Sequence, residues 1–228
     1  MVIEKSKEYH LPLCLGFIDY EKAFDSVEHF AIFQALRKIN INETYVQILE
    51  NIYKNAAARI HLDDHISEPF EIKRGVRQGD PISPKLFTAA IQEVFKNSEL
   101  DPRGVDINGE KLTDLRFADD VALTTSSVED MEVQLNILNE ESKKVGLKIH
   151  RGKTKFMTNF VTTQAIKIEG IEIEKVEHYK YLGQTIALED RTANEVQLRI
   201  QAGWAVFGKY KEIFKNKEVL ICFITKSV

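Results

Sequence analysis

Cysteine is scarce in this sequence. The two in 228 residues, Cys14 and Cys222, lie far apart and show no metal-type spacing. That fits two buried thiols in a reducing compartment better than a disulfide scaffold. Six histidines (His10, His29, His61, His65, His150, His178) never fall at zinc-ligand spacing, and the residues between His61 and His65 read as a turn. No apolar run approaches the roughly 18 residues of a membrane span, and the first residues, MVIEKSKEYH, lack the apolar centre of a secretory signal. The expectation is a soluble protein with no membrane partner. An excess of positive charge is missing as well: 31 basic residues stand against 35 acids, a net charge of -4, so the chain as a whole has no basic footprint of the nucleic-acid-binding kind. There is no internal repeat and no low-complexity linker. What is present is 43% hydrophobic residues, enough for one compact domain or slightly more.

LPLCLGFIDY (11–20) is a nearly continuous apolar run ending in an acid, the pattern of a strand covered on both faces whose last residues leave the core. Asp25 with Glu28 three residues on predicts a capping box before VEHFAIFQALRKI, where Phe30, Ile32, Phe33 and Leu36 mark a helical face. A second helix over about 43–55 turns Val46, Leu49 and Tyr53 inward. Residues 57–72 read as two short strands around LDDH. RGVRQGDPISP then breaks all periodicity with two glycines and two prolines. Ser83 as cap and Pro84 at the first helical position open a helix that buries Phe87, Ala90, Ile91 and Val94. Asn108-Gly109 predicts a hairpin, and LRFADDVAL another strand pair. Ser127 and Asp130 cap a helix whose stripe is Met131, Leu135, Leu138 and Val145, with Gly146 just past its end. AIKIEGIEIEKV alternates as a half-exposed hairpin about Gly170, and HYKYLGQTI continues the meander. From about 191 the chain reads as helical, with Val196, Ile200 and Trp204 on one face. This order predicts an α+β fold, an antiparallel sheet with helices packed on one face.

Three carboxylates stand at the ends of predicted apolar strands: Asp19 after LGFI, and Asp119 and Asp120 at the tip between LRFA and VAL. Adjacent anions repel, and Asn-Gly or Asp-Gly would be the ordinary turn there. A divalent cation supplies the opposing charge. Hard oxygen ligands suit magnesium, and two such ions serve an in-line phosphoryl transfer. Taken alone the acid pair is also what an exposed, solubilising turn would contain.

FIDYEKAFDSVEH, GVRQGDPISPKLF, FADD, GLKIHRGKTKFM and YLGQTI, in that order, resemble the successive palm motifs of a reverse transcriptase. More narrowly, IDYEKAFDSVE, SPKLFTAAI and LNEESKKVGLK are similar to the enzymes of non-LTR (LINE-type) retrotransposons, RTE-like elements in particular. The resemblance spans about 11–210. It implies a polymerase palm of ferredoxin-like split βαβ topology and an RNA-directed DNA polymerase joining a dNTP to a primer 3′-hydroxyl. The implied cofactors are two Mg2+ ions, with Mn2+ as a substitute, and the implied partners are an RNA template, a DNA primer and the dNTP. Asp19 and Asp119 would hold the ions with Asp120 beside them, and the carbonyl of Tyr20 would complete one of them. Ala23, Phe24, Gln78 and Gly79 join Tyr20 at the nucleotide, Phe24 as the ring that excludes a 2′-hydroxyl and Gln78 against the nucleotide and template base. Gly75 and Gly79 would let backbone approach the ligand. Lys153 corresponds to a lysine near the pyrophosphate, in a motif where His150 replaces the usual Asn, and Tyr181, Leu182 and Gly183 to the turn that grips the primer. Arg77 could contact a phosphate.

The family is built as a hand, with basic fingers ahead of the first aspartate motif. Only about ten residues precede that strand here, so the expectation is a palm with residual fingers elements over 1–190, cut from a longer protein and lacking the family's endonuclease. Residues 191–228 would begin a truncated thumb. Seven basic residues (Arg191, Arg199, Lys209, Lys211, Lys215, Lys217, Lys226) outnumber three acids there (Glu195, Glu212, Glu218), an excess of 7 − 3 = 4 suited to backbone phosphates. The alternative is an inactive retrotransposon remnant with at most nucleic-acid binding. A related RNA-templated RNA polymerase is disfavoured by Phe24.

Overall fold

The computed structural model describes residues 2–63, 65–100, 103–107, 109–188 and 192–211. After α1 (Val2–Glu8), β1 (Cys14–Ile18) is buried along its whole length, as its unbroken apolar run requires. Next come α2 (Ala23–Ser26) and α3 (His29–Lys38). The expected capping box does not form. Glu28 is the N-cap of α3 without a side-chain bond, and Asp25 belongs to α2, where its carboxylate accepts from Gln78 Nε2 at 2.9 Å. The buried stripe of α3 is Ala31, Ile32, Phe33, Ala35 and Leu36; Phe30, expected inside, is 59% exposed because its side of the helix has no partner.

Asn42 caps α4 (Glu43–Lys54) through Oδ1, which accepts from the Thr44 N–H at 2.9 Å; Val46 and Tyr53 are buried and Leu49 half-buried. The following arm has four two-residue strands rather than two longer ones. β2 (Ala57–Ala58) pairs with β5 (Phe70–Glu71), and β3 (His61–Leu62) with β4 (His65–Ile66). Between the pairs the Ser67 hydroxyl accepts from the Ile60 N–H at 2.9 Å, which interrupts the ladder.

α5 (Ser83–Asn97) buries Phe87, Ala90, Ile91 and Val94 as expected. Ser83 is its first residue, not its cap: the Ser83 hydroxyl donates to the Arg77 carbonyl, while Asp80 Oδ1 accepts the Ile82 N–H at 3.0 Å. β6 (Val105–Ile107) and β7 (Glu110–Leu112) form the hairpin foreseen at 108–109, of which Asn108 lies outside the described residues. β8 (Asp114–Phe117) and β9 (Asp120–Thr125) form the next.

Ser127 Oγ accepts from the Asp130 N–H at 3.1 Å to start α6 (Val128–Lys144), and the helix ends in a Schellman pair, Leu147 N–H to Ser142 O and Gly146 N–H to Lys143 O, both 3.0 Å. Gly146 sits at φ 82, and a Cβ there would meet Ser26 O at 2.7 Å, so the turn and the packing both require glycine. Met131, Leu135 and Leu138 are fully buried beneath α6, at about 1.5–3 kcal/mol of transfer free energy each.

β10 (Lys155–Thr158), β11 (Ile166–Ile168) and β12 (Ile171–Lys175) complete one six-stranded sheet in the order β11-β12-β10-β1-β9-β8. Within it β10-β1-β9-β8, with helices between the first and second and the third and fourth strands in chain order, is the expected split βαβ. The sheet is antiparallel except where β10 runs parallel to β12. β13 (His178–Tyr181) and β14 (Gln184–Ala187) do not extend it; they pair only with each other and lie against its second face. α7 (Thr192–Lys209) closes the described chain, with Ile200 and Trp204 exposed. The side chain of Val196 lies outside the described residues, as do those of Arg191, Arg199 and Glu195, and so do Glu212, Lys215, Lys217, Glu218, Cys222 and Lys226.

Alternation along β1 feeds two cores. Cys14 and Ile18, with Val121 and Leu123 of β9, face α3, α5 and α6; Leu13, Leu15 and Phe17, with Ala122 and Met157, face the β13–β14 hairpin and the residues Val2 and Ile3 of α1.

Candidate active site

The acids meet because of strand register. β1 and β9 are antiparallel with Ile18 opposite Val121, and one further step sets Asp19 opposite Asp120. On the other side of β1, Phe17 faces Lys155 of β10, and the same continuation sets Asp19 opposite Lys153. Lys153 Nζ is 3.6 Å from Asp19 Oδ2. The two-residue period puts Asp19 on the side of Leu15 and Phe17, and Asp120 on the side of Ala122, which is the face of the sheet away from the helices. There the covering hairpin brings Tyr179, stacked on Phe17 with 4.3 Å between ring centroids, and Tyr181.

Asp119 occupies the second position of a two-residue turn between Phe117 and Asp120, behind Ala118 at φ 56. A left-handed alanine costs about 1 kcal/mol where Gly or Asn would be relaxed, and such strain gathers at functional sites. The backbone of Asp19 is clasped by the turn at 150–154: its N–H donates to the buried Thr154 Oγ1 at 3.3 Å, and its carbonyl accepts from the His150 N–H at 2.8 Å.

Charge is crowded here. Burial first, then the neighbouring Asp119 and Asp19 carboxylates, hold the Asp120 carboxyl above the usual carboxylate range. Burial, then Asp19 and Asp120, push the Tyr179 phenol up; burial, then Asp120 and Tyr179, do so for Tyr181. Asp19 Oδ2 is buried and accepts no hydrogen bond, and the Lys153 ammonium faces it at ion-pair distance, 3.6 Å. Among the described residues no three His, Cys, Asp or Glu side chains form an all-protein metal cage. Magnesium is a hard cation that takes one or two carboxylates and completes its shell with water and substrate phosphate. A partly buried carboxylate oxygen that accepts no hydrogen bond, set among like charges, fits magnesium.

A second cluster lies further along the same segment. Phe24, half-buried and stacked on Phe87 at 4.5 Å, lines a cleft of about 430 Å³ with Arg77, Gln78, Gly79 and Asp80. The loop at 74–79 is zipped onto α2: Gly75 N–H donates to Val27 O and Val76 N–H to Phe24 O, both 2.7 Å. The structure shows another reason for Gly75: at φ 84, a Cβ there would lie 2.8 Å from the backbone of Asp25. Gly79, also at φ 84, has open space around it.

Tyr20 and Ala23 are buried, so what they can offer a ligand is main chain. The Tyr20 hydroxyl pairs with Ser142 Oγ at 2.9 Å, and burial pushes its phenol up to about 12. Tyr181 ends β13 before the turn Leu182 (φ 48) and Gly183 (φ 79), with Leu182 exposed. Its hydroxyl lies 3.4 Å from the carbonyls of Leu115 and Asp120, so it braces the hairpin that carries the acids. Sequence reasoning missed Asp25, Thr154 and Tyr179. Only Tyr179 left a signal, the two-residue period with Tyr181.

This geometry, acids at the ends of two central strands of a split βαβ sheet with an aromatic-lined cleft further along the segment that follows the first of them, is that of a polymerase palm. The chain belongs to the reverse transcriptase (RNA-dependent DNA polymerase) family, whose model matches residues 3–186. It is 27% identical over 197 residues to the Pol polyprotein of retrotransposable element R2DM of Drosophila melanogaster, covering 80% of this chain and 18% of that protein. To the R2 Pol polyprotein of Nasonia vitripennis it is 31% identical over 137 residues, 60% of this chain and 13% of that protein. It thus spans less than a fifth of either relative. Apo telomerase of Candida tropicalis, truncated from its C-terminal domain, has the same fold over 82% of this chain and 37% of its own, with TM-score 0.58 and 14% identity.

Proposed function

We propose that this chain is the palm of a non-LTR retrotransposon reverse transcriptase and supports RNA-templated addition of a deoxynucleotide to a primer 3′-hydroxyl, with pyrophosphate leaving. The observation that carries the reading is the Asp19 carboxylate, whose buried Oδ2 accepts no hydrogen bond, set opposite Asp120 by strand register beside the strained Asp119 turn. Asp19, Asp119 and Asp120 are the residues that would hold two magnesium ions, or manganese in their place. Held by these carboxylates, such ions would supply the positive charge that favours ionisation of the attacking hydroxyl and offsets charge on the leaving oxygen. Lys153, beside Asp19, offers a positive charge and a proton to the departing pyrophosphate. Phe24 closes the space a 2′-hydroxyl would need, its ring backed by Phe87 so that it cannot yield. Gln78 and Gly79 border the same cleft and take the nucleotide, with the main chain of Tyr20 and Ala23 behind it. Arg77, which lines that cleft, meets a phosphate. Tyr181, Leu182 and Gly183 present the primer end. The same reading assigns 1–190 to a palm with residual fingers elements and 191–228 to the beginning of a thumb, and places the chain nearer RTE-type elements by its motif wording. The template is RNA and the primer DNA; among the described residues no helix is long and apolar enough to cross a membrane.

The test is incorporation of labelled dNTP on a primed RNA template with magnesium, run beside Asp119→Asn. Extension by the parent and none by the variant is expected. Equal incorporation by both rejects catalysis at this site, and template binding without extension by either identifies a binding remnant.

A further inference from the structure

We propose that Asp25 is a positioning residue for nucleotide selection: it commits the nitrogen end of the Gln78 amide to the protein and so presents the carbonyl oxygen to the nucleotide in the cleft. The inference rests on Gln78 being a nucleotide contact, and goes beyond it by assigning how that contact is oriented. Gln78 Nε2 donates to Asp25 Oδ1 at 2.9 Å. A carboxylate has no donor, so it accepts only the NH2 end of a glutamine, and one of the two otherwise equivalent amide orientations is selected. Fixing an exposed glutamine costs it rotamer freedom, which a charge-assisted bond offsets.

Both ends of the bond stand on anchored backbone. The Asp25 N–H donates to the Lys22 carbonyl at 2.9 Å, and Gly75 lies against the Asp25 main chain so closely that no Cβ fits between them. Attachment of the loop does not depend on the side-chain bond. Gly75 to Val27, Val76 to Phe24 and Ser83 to Arg77 already hold it. Removing the Asp25 carboxylate therefore frees the amide while the loop stays in place, which separates a positioning role from a staple.

The experiment uses the full chain with a dideoxy-terminated primer on an RNA template, magnesium, and the complementary dNTP, and reads the dNTP Kd for the parent, Asp25→Ala, Gln78→Ala and the double variant. Asp25→Ala is expected to raise Kd about three- to tenfold, the worth of one hydrogen bond, and to change Kd less than about twofold when Gln78 is already alanine. Asp25→Asn, which keeps the shape, should give a smaller rise. Unchanged Kd in both Asp25 variants beside a weakened Gln78→Ala, or effects that simply add, overturns the positioning role. Equal Kd for Gln78→Ala and the parent overturns the contact itself, and the proposal with it. The Gln78 side-chain NH2 resonances, identified by their loss in Gln78→Ala, give a reading without nucleotide. They should move to free-glutamine positions in Asp25→Ala, and their staying put rejects the bond.

Discussion

Asp120→Asn removes one of three crowded negative charges without changing the size of the side chain. In the metal-free protein partial burial disfavours the Asp120 charge most, and two neighbours, Asp119 and Asp19, add to it. Asp120 is largely open to water, so each like-charge contact is heavily screened, to about 0.5 kcal/mol rather than the low-dielectric figure. Together they make the variant more stable by roughly 1 kcal/mol, which for a chain of this size raises Tm by about 2–4 °C. Magnesium should act against that gain. At 10 mM, an ion bound with Kd of about 1 mM by the native fold alone stabilises it by about 1.4 kcal/mol. The parent then gains several degrees, and a variant lacking one anion gains less. Differential scanning fluorimetry of the parent, Asp120→Asn and Asp19→Asn, with and without magnesium and with calcium as a second hard cation, reads both effects. A metal-free Asp120→Asn that melts below the parent refutes the crowding argument. Equal magnesium shifts in all three proteins refute the cation site.

Gly75→Ala should lower stability by about 2–4 kcal/mol, since φ 84 is strained for alanine and the new Cβ lies 2.8 Å from the Asp25 backbone; a denaturant midpoint measures it, and a loss under 1 kcal/mol means the loop yields freely. Phe24→Val should admit ribonucleotides at the expense of about 1–2 kcal/mol, because the ring stacks on Phe87; parallel rNTP and dNTP incorporation with thermal melts checks both halves. Glu93 is held below the usual carboxylate range chiefly by its bond from Lys38, with Lys96 adding to it against the opposing effect of burial. Its folded value is the lower one, so its contribution is present above the ordinary carboxylate pKa and lost as pH falls through the folded value. Glu93→Gln should flatten that acid limb in stability measured from pH 6 to 3, and an unchanged limb removes Glu93 from the account.

The sequence announces those parts of the fold that depend on near neighbours. An apolar run stopping at Asp19, a cap at Ser127 and the period of α6 are local patterns, and each forms where expected. Phe30 is different: periodicity shows that α3 has an apolar side but not how far round the helix its partners reach, and they stop short of it. Asp25 and Glu28 have the spacing of a capping box, yet a residue in the loop at 74–79 competes for the carboxylate, and a partner 53 positions away leaves no trace in a local window. The same holds for the Thr154 hydroxyl on the Asp19 N–H, 135 positions distant. The hairpin at 178–187 was legible as strands, but not its placement, because alternation does not say whether a strand pair joins a sheet edge or lies across a face.

Position in the sheet explains why the site can hold unfavourable charge at all. β1 has both faces covered as far as Ile18, and Asp19 is the first residue beyond that cover. The core behind it fixes the register, and a slip of one residue would exchange the Leu15 and Phe17 side for the Cys14 and Ile18 side and destroy both clusters. A slip of two would keep the faces but put Phe17 where Asp19 stands. Register is thus over-determined by apolar packing, and the acids inherit their placement without needing any attraction between themselves. Phe17 is the residue through which this can be seen: it is almost fully buried under Tyr179 and lies two positions before Asp19 on the same face. Phe17→Leu keeps the apolar character but loses the ring stack, at about 1 kcal/mol. If packing on that face holds the acids together, this substitution should weaken the magnesium-dependent rise in Tm although it touches no charged group, and a magnesium shift identical to the parent's would show that the register is held by the helix-facing core alone.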